Sequence, residues 1–118
     1  MEKVSVIIPT YNRSHTLKRA VESVLGQTFD NFELLIVDDG SEDDTKSVVD
    51  SIQDKRIRYI KLKENRGAAG ARNEGVRRSE CSLIAFQDSD DVWRPEKLER
   101  QMIYWEQHPS CRLKYKTD

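Results

Sequence analysis

Three carboxylates crowd into four positions where the apolar run Ile84-Ala85-Phe86 gives way to Gln87-Asp88-Ser89-Asp90-Asp91. Carboxylates this close repel one another, so a fold that gathers them usually does so around a bound cation or a shared proton. A hard divalent cation takes oxygen ligands and keeps several waters; one or two carboxylates plus substrate phosphates can complete its shell. The competing explanation is a solvated turn, with Asp91 near the start of the next helix. A position straight after a buried strand weighs against it, because ligands of open α/β sheets bind at the carboxyl ends of strands.

A second acidic stop, Asp38-Asp39-Gly40-Ser41, follows the apolar run Leu34-Leu35-Ile36-Val37. One aspartate could serve the next helix electrostatically, but two in succession exceed that need. An aspartate in such a crevice can accept a hydrogen bond from the ring N–H of uracil, thymine or guanine. Tyr11, after Pro9-Thr10, could stack on a base or plug its loop into the core. Arg66 and Arg72, beside and within a Gly-rich stretch, could meet a diphosphate or a base, or be solvated at the surface. The spacing of Gly67, Gly70 and Gly75 is not that of a dinucleotide fingerprint, and no P-loop occurs. His15 and His108 are too isolated for a triad or a zinc site. Trp93 and Trp105 read as core or interface anchors.

These residues need strand ends to carry them. Val4 to Ile8, closed by Pro9, predicts a buried strand. From an N-cap at Ser14, Leu17, Ala20, Val21, Val24 and Leu25 describe one apolar helix face, ended at Gly26 or soon after. Leu34 to Val37 predicts a second strand, and Ser41 with Asp44 a capping box ahead of Val48, Val49 and Ile52. Arg56 to Leu62 alternates in a mixed pattern that fits a third strand of uncertain facing. Gly67 to Gly75 predicts a loop entering a close-packed helix, and Leu83 to Phe86 a fourth strand. Pro95 is expected in the first turn of a helix carrying Leu98, Met102 and Trp105, and Cys111, Leu113 and Tyr115 in a half-exposed strand. Strands alternating with helices give an α/β fold of three layers, α/β/α, around a mostly parallel sheet.

The chain has 118 residues, 20 basic and 21 acidic, with formal net charge −1. One domain follows, and a nucleic-acid-binding footprint is excluded. Charged residues make up 35% and hydrophobic ones 36%, yet the apolar residues sit in compact runs, so disorder is not expected. No run is long enough for a membrane span. Cys81 and Cys111 form no metal or disulfide spacing, so a reduced, cytoplasmic setting is expected, with any membrane association supplied elsewhere in the full-length protein.

The pieces Val4 to Arg13, Val24 to Phe29, Ile36 to Ser41, Asn65 to Asn73 and Phe86 to Asp91 together closely resemble family 2 glycosyltransferases of the GT-A fold. The resemblance runs along nearly the whole chain, and five motifs in order make it specific. It implies inverting transfer of a sugar from a nucleoside diphosphate donor, most often a UDP-sugar, to a hydroxyl of a saccharide or lipid-linked acceptor, in polysaccharide or cell-wall biosynthesis. Pro9, Thr10 and Tyr11 would border the nucleoside, Asp39 would bind the base ring nitrogen, and Arg72, or less favourably Arg66, would lie near base or phosphate. Asp88 would sit by the ribose or donor sugar. Asp90 would bind Mn²⁺ or Mg²⁺ bridging the diphosphate.

A complete catalytic domain of that family is about twice as long, and its second half supplies the general base, which is therefore expected beyond Asp118. Residues 1–118 are expected to be the donor-binding portion of one domain, with no catalytic residue of their own and with self-association through an exposed edge. Two other readings compete: a nucleotide-binding module without turnover, and a haloacid-dehalogenase-like phosphatase, whose nucleophile loop Asp88-Ser89-Asp90-Asp91-Val92 matches in type. The latter requires that loop to follow the first strand.

Overall fold

The computed structural model describes residues 2–108. They alternate strand and helix: β1 (Val4–Thr10), α1 (Ser14–Leu25), β2 (Phe32–Asp38), α2 (Thr45–Asp50), β3 (Ile57–Lys61), α3 (Gly67–Arg78), β4 (Leu83–Phe86) and α4 (Lys97–Gln107). The strands form one sheet in the order β3-β2-β1-β4, every neighbouring pair parallel. Parallel strands covered on both faces read as continuous apolar runs; accordingly, every residue of β2 is buried.

Alternate side chains enter opposite layers. Val4, Val6, Ile8, Leu34 and Ile36 pack with α1, α2 and α4, while Ile7, Leu35, Val37 and Ile84 pack with α3. The expected stripe of α1 is the buried one, through Leu17, Ala20, Val21 and Val24. The mixed pattern of β3 is explained by two covered faces: Ile57 and Tyr59 join the first layer, Ile60 and Leu62 the second. Helix α3 lies so close to the sheet at Gly75 that a Cβ there would sit 2.6 Å from Ile7 Cγ2.

Several local expectations need correction. β1 does not stop at Pro9. It pairs with β2 as far as Thr10, and only its pairing with β4 ends earlier, at Ile7. The missing proline donor therefore costs nothing on the β2 side. Ser14 is the first residue of α1 rather than its cap, and its N–H donates to Asp43 Oδ2 at 3.2 Å, in a different loop. Helix α2 starts at Thr45, leaving Ser41 outside it. The Gly-rich stretch is already helical from Gly67. Pro95 precedes the first turn of α4, whose Leu98 N–H donates to Gln27 Oε1 at 2.9 Å. The strand expected around Cys111, Leu113 and Tyr115 lies outside the described residues, as does Asp118, past which the general base is expected. Among the described residues no helix is long and apolar enough to cross a membrane.

Candidate functional site

The loops that follow β1, β2 and β4, together with the first turns of α3, enclose a cleft of about 410 Å³ at the carboxyl ends of the strands. It is lined by Pro9 and Thr10 at the end of β1 and Tyr11 just after it, Asp39 from the loop after β2, Arg72 from α3, and Asp88 and Asp90 from the loop after β4. All seven donor-site and metal-site residues singled out in the sequence thus share one surface.

At the end of β2 the two adjacent aspartates face different ways. Asp38 is fully buried, and its oxygens accept the Ser41 N–H at 2.8 Å and the Tyr59 hydroxyl. It does not line the cleft, which corrects its reading as a second carboxylate on the rim. Burial, then the bond to Asp38, raises the Tyr59 phenol above the ordinary tyrosine range. Asp39 faces the cleft but is only 3% exposed, and its oxygens accept the N–H groups of Arg66 at 2.6 Å and Gly67 at 2.8 Å. Gly67 presents its N–H with a φ of 79°, a conformation natural to glycine. A carboxylate has about four acceptor positions, so Asp39 keeps capacity for a further donor.

The end of β4 is built in the opposite manner, its backbone being held in place by neutral side chains. Gln87 Nε2 donates to the Asp91 carbonyl at 2.8 Å, Thr16 Oγ1 donates to the Ser89 carbonyl at 3.0 Å, and the Trp93 N–H donates to Ser23 Oγ at 3.1 Å. The side chains of Asp88 and Asp90 are exposed and have no hydrogen-bond or ion-pair partner among the described residues. Because β4 is the fourth strand in sequence and lies at the sheet edge among the described residues, the acidic loop does not follow a first strand as the phosphatase reading requires.

Tyr11 is 42% exposed and does not plug the core. Behind it the Thr10 hydroxyl is buried at the cleft wall without a hydrogen-bond partner. Of the two arginines weighed from sequence, Arg66 is turned to Glu74 at 3.3 Å, whereas Arg72 lines the cleft with no ion pair among the described residues. Glu74 is also held by Arg77 and Arg78, which bring its carboxyl down to about 2. Arg13, at the cap position of α1, places a second unpaired guanidinium in the cleft. Sequence reasoning missed it; the signal was a cation two residues beyond Tyr11 in a loop after a strand. His15 is exposed, His108 stacks on Tyr104, and Trp93 is buried with Lys97 over its ring.

Among the described residues no three His, Cys, Asp or Glu side chains converge into a metal cage. The donor set present is two free carboxylates, Asp88 and Asp90, beside two free guanidiniums. That set fits a hard divalent cation that fills its shell from phosphate oxygens and water, and it does not fit a soft or wholly protein-bound metal.

The model of the family described as Glycosyl transferase family 2 matches residues 5–111. The Escherichia coli UDP-Glc:α-D-GlcNAc-diphosphoundecaprenol β-1,3-glucosyltransferase WfgD is 46% identical over 99 residues, which are 84% of this chain and 39% of that protein. The crystal structure of S. aureus TarS 1-349 in complex with UDP-GlcNAc superposes with a TM-score of 0.85 at 31% identity, covering 92% of this chain and 32% of that one. The mannosyltransferase PcManGT of Pyrobaculum calidifontis, in complex with GDP-Man and Mn²⁺, superposes with a TM-score of 0.79 at 26% identity, covering 90% and 32%. These neighbours share the GT-A fold, which is the fold of this chain. The chain spans less than half the length of the curated relatives it matches.

Proposed function

The chain belongs to glycosyl transferase family 2, and on that premise we propose that its cleft binds the donor of a glycosyl transfer, a nucleoside-diphosphate sugar and foremost a UDP-sugar. The observation that carries this reading is the convergence of Tyr11, Asp39, Arg72, Asp88 and Asp90 on one cleft from elements far apart in sequence. The Tyr11 ring offers a face for the base, and Asp39 an acceptor for a ring N–H. The buried Thr10 hydroxyl gains its missing partner from a polar group of the nucleoside. Arg72 and Arg13 neutralise the diphosphate, guanidinium being suited to phosphate oxygens.

Asp90, with Asp88 beside it, would hold Mg²⁺ or Mn²⁺ against the diphosphate. When bound there, the cation supplies stabilisation of the charge that develops on the departing nucleoside diphosphate. In an inverting transfer an acceptor hydroxyl attacks the anomeric carbon in line, the bond to the diphosphate oxygen breaks, and the hydroxyl proton passes to a base. Asp39, Asp88 and Asp90 are the carboxylates of the cleft among the described residues, and each is engaged with the donor. We assign proton removal and acceptor binding to residues beyond Asp118, outside this chain, and by similarity to the E. coli relative the acceptor is a lipid-linked saccharide. Since a general base contributes about 10²- to 10⁴-fold, this chain alone binds donor with little or no turnover.

Calorimetry with UDP in the presence of Mn²⁺ tests the reading. Binding is expected in the parent chain and its loss in Asp39→Ala; absence of heat in the folded parent would sink the proposal. Turnover of UDP-sugars by this chain alone would contradict the assignment of the base.

A further inference from the structure

Tyr59 stands on β3, an edge strand, and does not line the cleft. Its hydroxyl nevertheless begins a continuous chain of hydrogen bonds that reaches Asn12, between the cleft residues Tyr11 and Arg13. The hydroxyl donates to Asp38 Oδ2, and Asp38 Oδ1 accepts the Ser41 N–H at 2.8 Å. Ser41 is buried, and its Oγ accepts the Asn12 N–H at 2.9 Å. Asn12 closes the link by accepting the Glu42 N–H on Oδ1 at 2.9 Å. Asn12 adopts a φ of 51°, a left-handed conformation taken by no other non-glycine residue among those described. Asparagine tolerates that region but does not hold it unaided. The residue before it is Tyr11.

We propose that Tyr59 is a positioning residue for nucleotide binding: acting through Asp38 and Ser41, it fixes Asn12 in its left-handed turn and so holds the Tyr11 ring at the mouth of the cleft. Asp38 is the pivot of this relay. A fully buried carboxylate must have its lone pairs occupied, and with donors on both oxygens it has one orientation. Removing the Tyr59 hydroxyl frees it to turn, which loosens Ser41 and the turn that Ser41 anchors. Tyr11 must then be ordered during binding instead of before it, and that ordering weakens affinity. What the fixed loop recognises rests on the donor-site reading above; the relay itself does not.

The test uses Tyr59→Phe, which keeps the ring, Ser41→Ala, which removes the acceptor for Asn12, and the double variant. Calorimetry with UDP and Mn²⁺ is expected to show each single variant binding about threefold to tenfold more weakly. The double variant should be no weaker than the poorer single one, because both cut one chain. Amide hydrogen exchange of Asn12, Ser41 and Glu42 should quicken in Tyr59→Phe while Ile7 and Leu35 keep their protection. Unchanged UDP affinity in Tyr59→Phe, additive losses in the double variant, or a uniform loss of protection across the sheet would each overturn the relay. If the parent binds no UDP, the donor-site reading fails, and exchange at Asn12 alone decides the relay.

Discussion

The carboxyl ends of β2 and β4 each present aspartates straight after an apolar strand, and they use them in opposite ways. At β2 the carboxylates hold the backbone: Asp38 binds the Ser41 N–H, and Asp39 binds those of Arg66 and Gly67. At β4 the backbone is held by Gln87, Thr16 and Ser23, and the carboxylates of Asp88 and Asp90 are left free. Acidic residues at a strand end thus serve as structural fasteners, like Asp38, as an open ligand set, like Asp88 and Asp90, or as a fastener with acceptor capacity to spare, like Asp39. The accounting of donors around them separates these roles, where their position in the chain does not.

The comparison breaks first at Asp38. Asp38→Ala strands two buried donors, and a loss of about 3 kcal/mol is expected, read as a fall in Tm of roughly 10 °C or more. A stability like that of the parent would show that the β2 carboxylates are no fasteners. Asp39→Ala should cost about 2 kcal/mol by releasing two backbone N–H groups, and abolish UDP binding besides. Asp90→Ala sharpens the contrast from the other side: its stability in denaturant titrations should stay within about 0.5 kcal/mol of the parent. Its UDP affinity in Mn²⁺ should nevertheless fall about tenfold, or ~1.4 kcal/mol.

The smallest effect concerns pH. Glu74, which grips Arg66 behind Asp39, has its carboxyl lowered from 4.5 to about 2 in the folded chain. A depressed folded-state value contributes stability that is fully present above about pH 4.5 and lost as pH falls toward 2. Unfolding midpoints of the parent should therefore exceed those of Glu74→Gln at pH 5 and converge with them by pH 2. A constant difference across that window would mean that the arginines do not grip the ionised form.

The architecture was legible because its signals are local. β-branched runs gave the strands, and the spacing of Leu17, Ala20, Val21 and Val24 gave the buried face of α1. The cleft residues were legible for a related reason: all but Arg72, which stands on α3, lie at the carboxyl end of a strand or in the loop directly after it. What escaped was anything satisfied from a distance. Ser14 and Leu98 take their capping partners from Asp43 and Gln27 in other loops. The withdrawal of Asp38 into the core depends on Tyr59, 21 residues away. The preference for Arg72 over Arg66 came from the resemblance, but its physical reason, the hold of Glu74 on Arg66, did not, because only the folded helix brings those partners together.

The strand order also sets a timetable. β1 lies between β2 and β4, so one flank of the first strand is completed nearby in sequence while the other waits for Leu83 to reach Val4. Pairing over so long a separation gives high contact order and slows folding. Synthesis runs from the amino terminus, so β1, β2 and β3 can assemble on the ribosome before β4 exists. During that interval the open flank of β1 is an unpaired edge able to recruit other nascent chains. Among the described residues the wall carrying Asp88 and Asp90 is the last part of the cleft to be made, and the arrival of β4 closes that flank of β1 as it adds the wall.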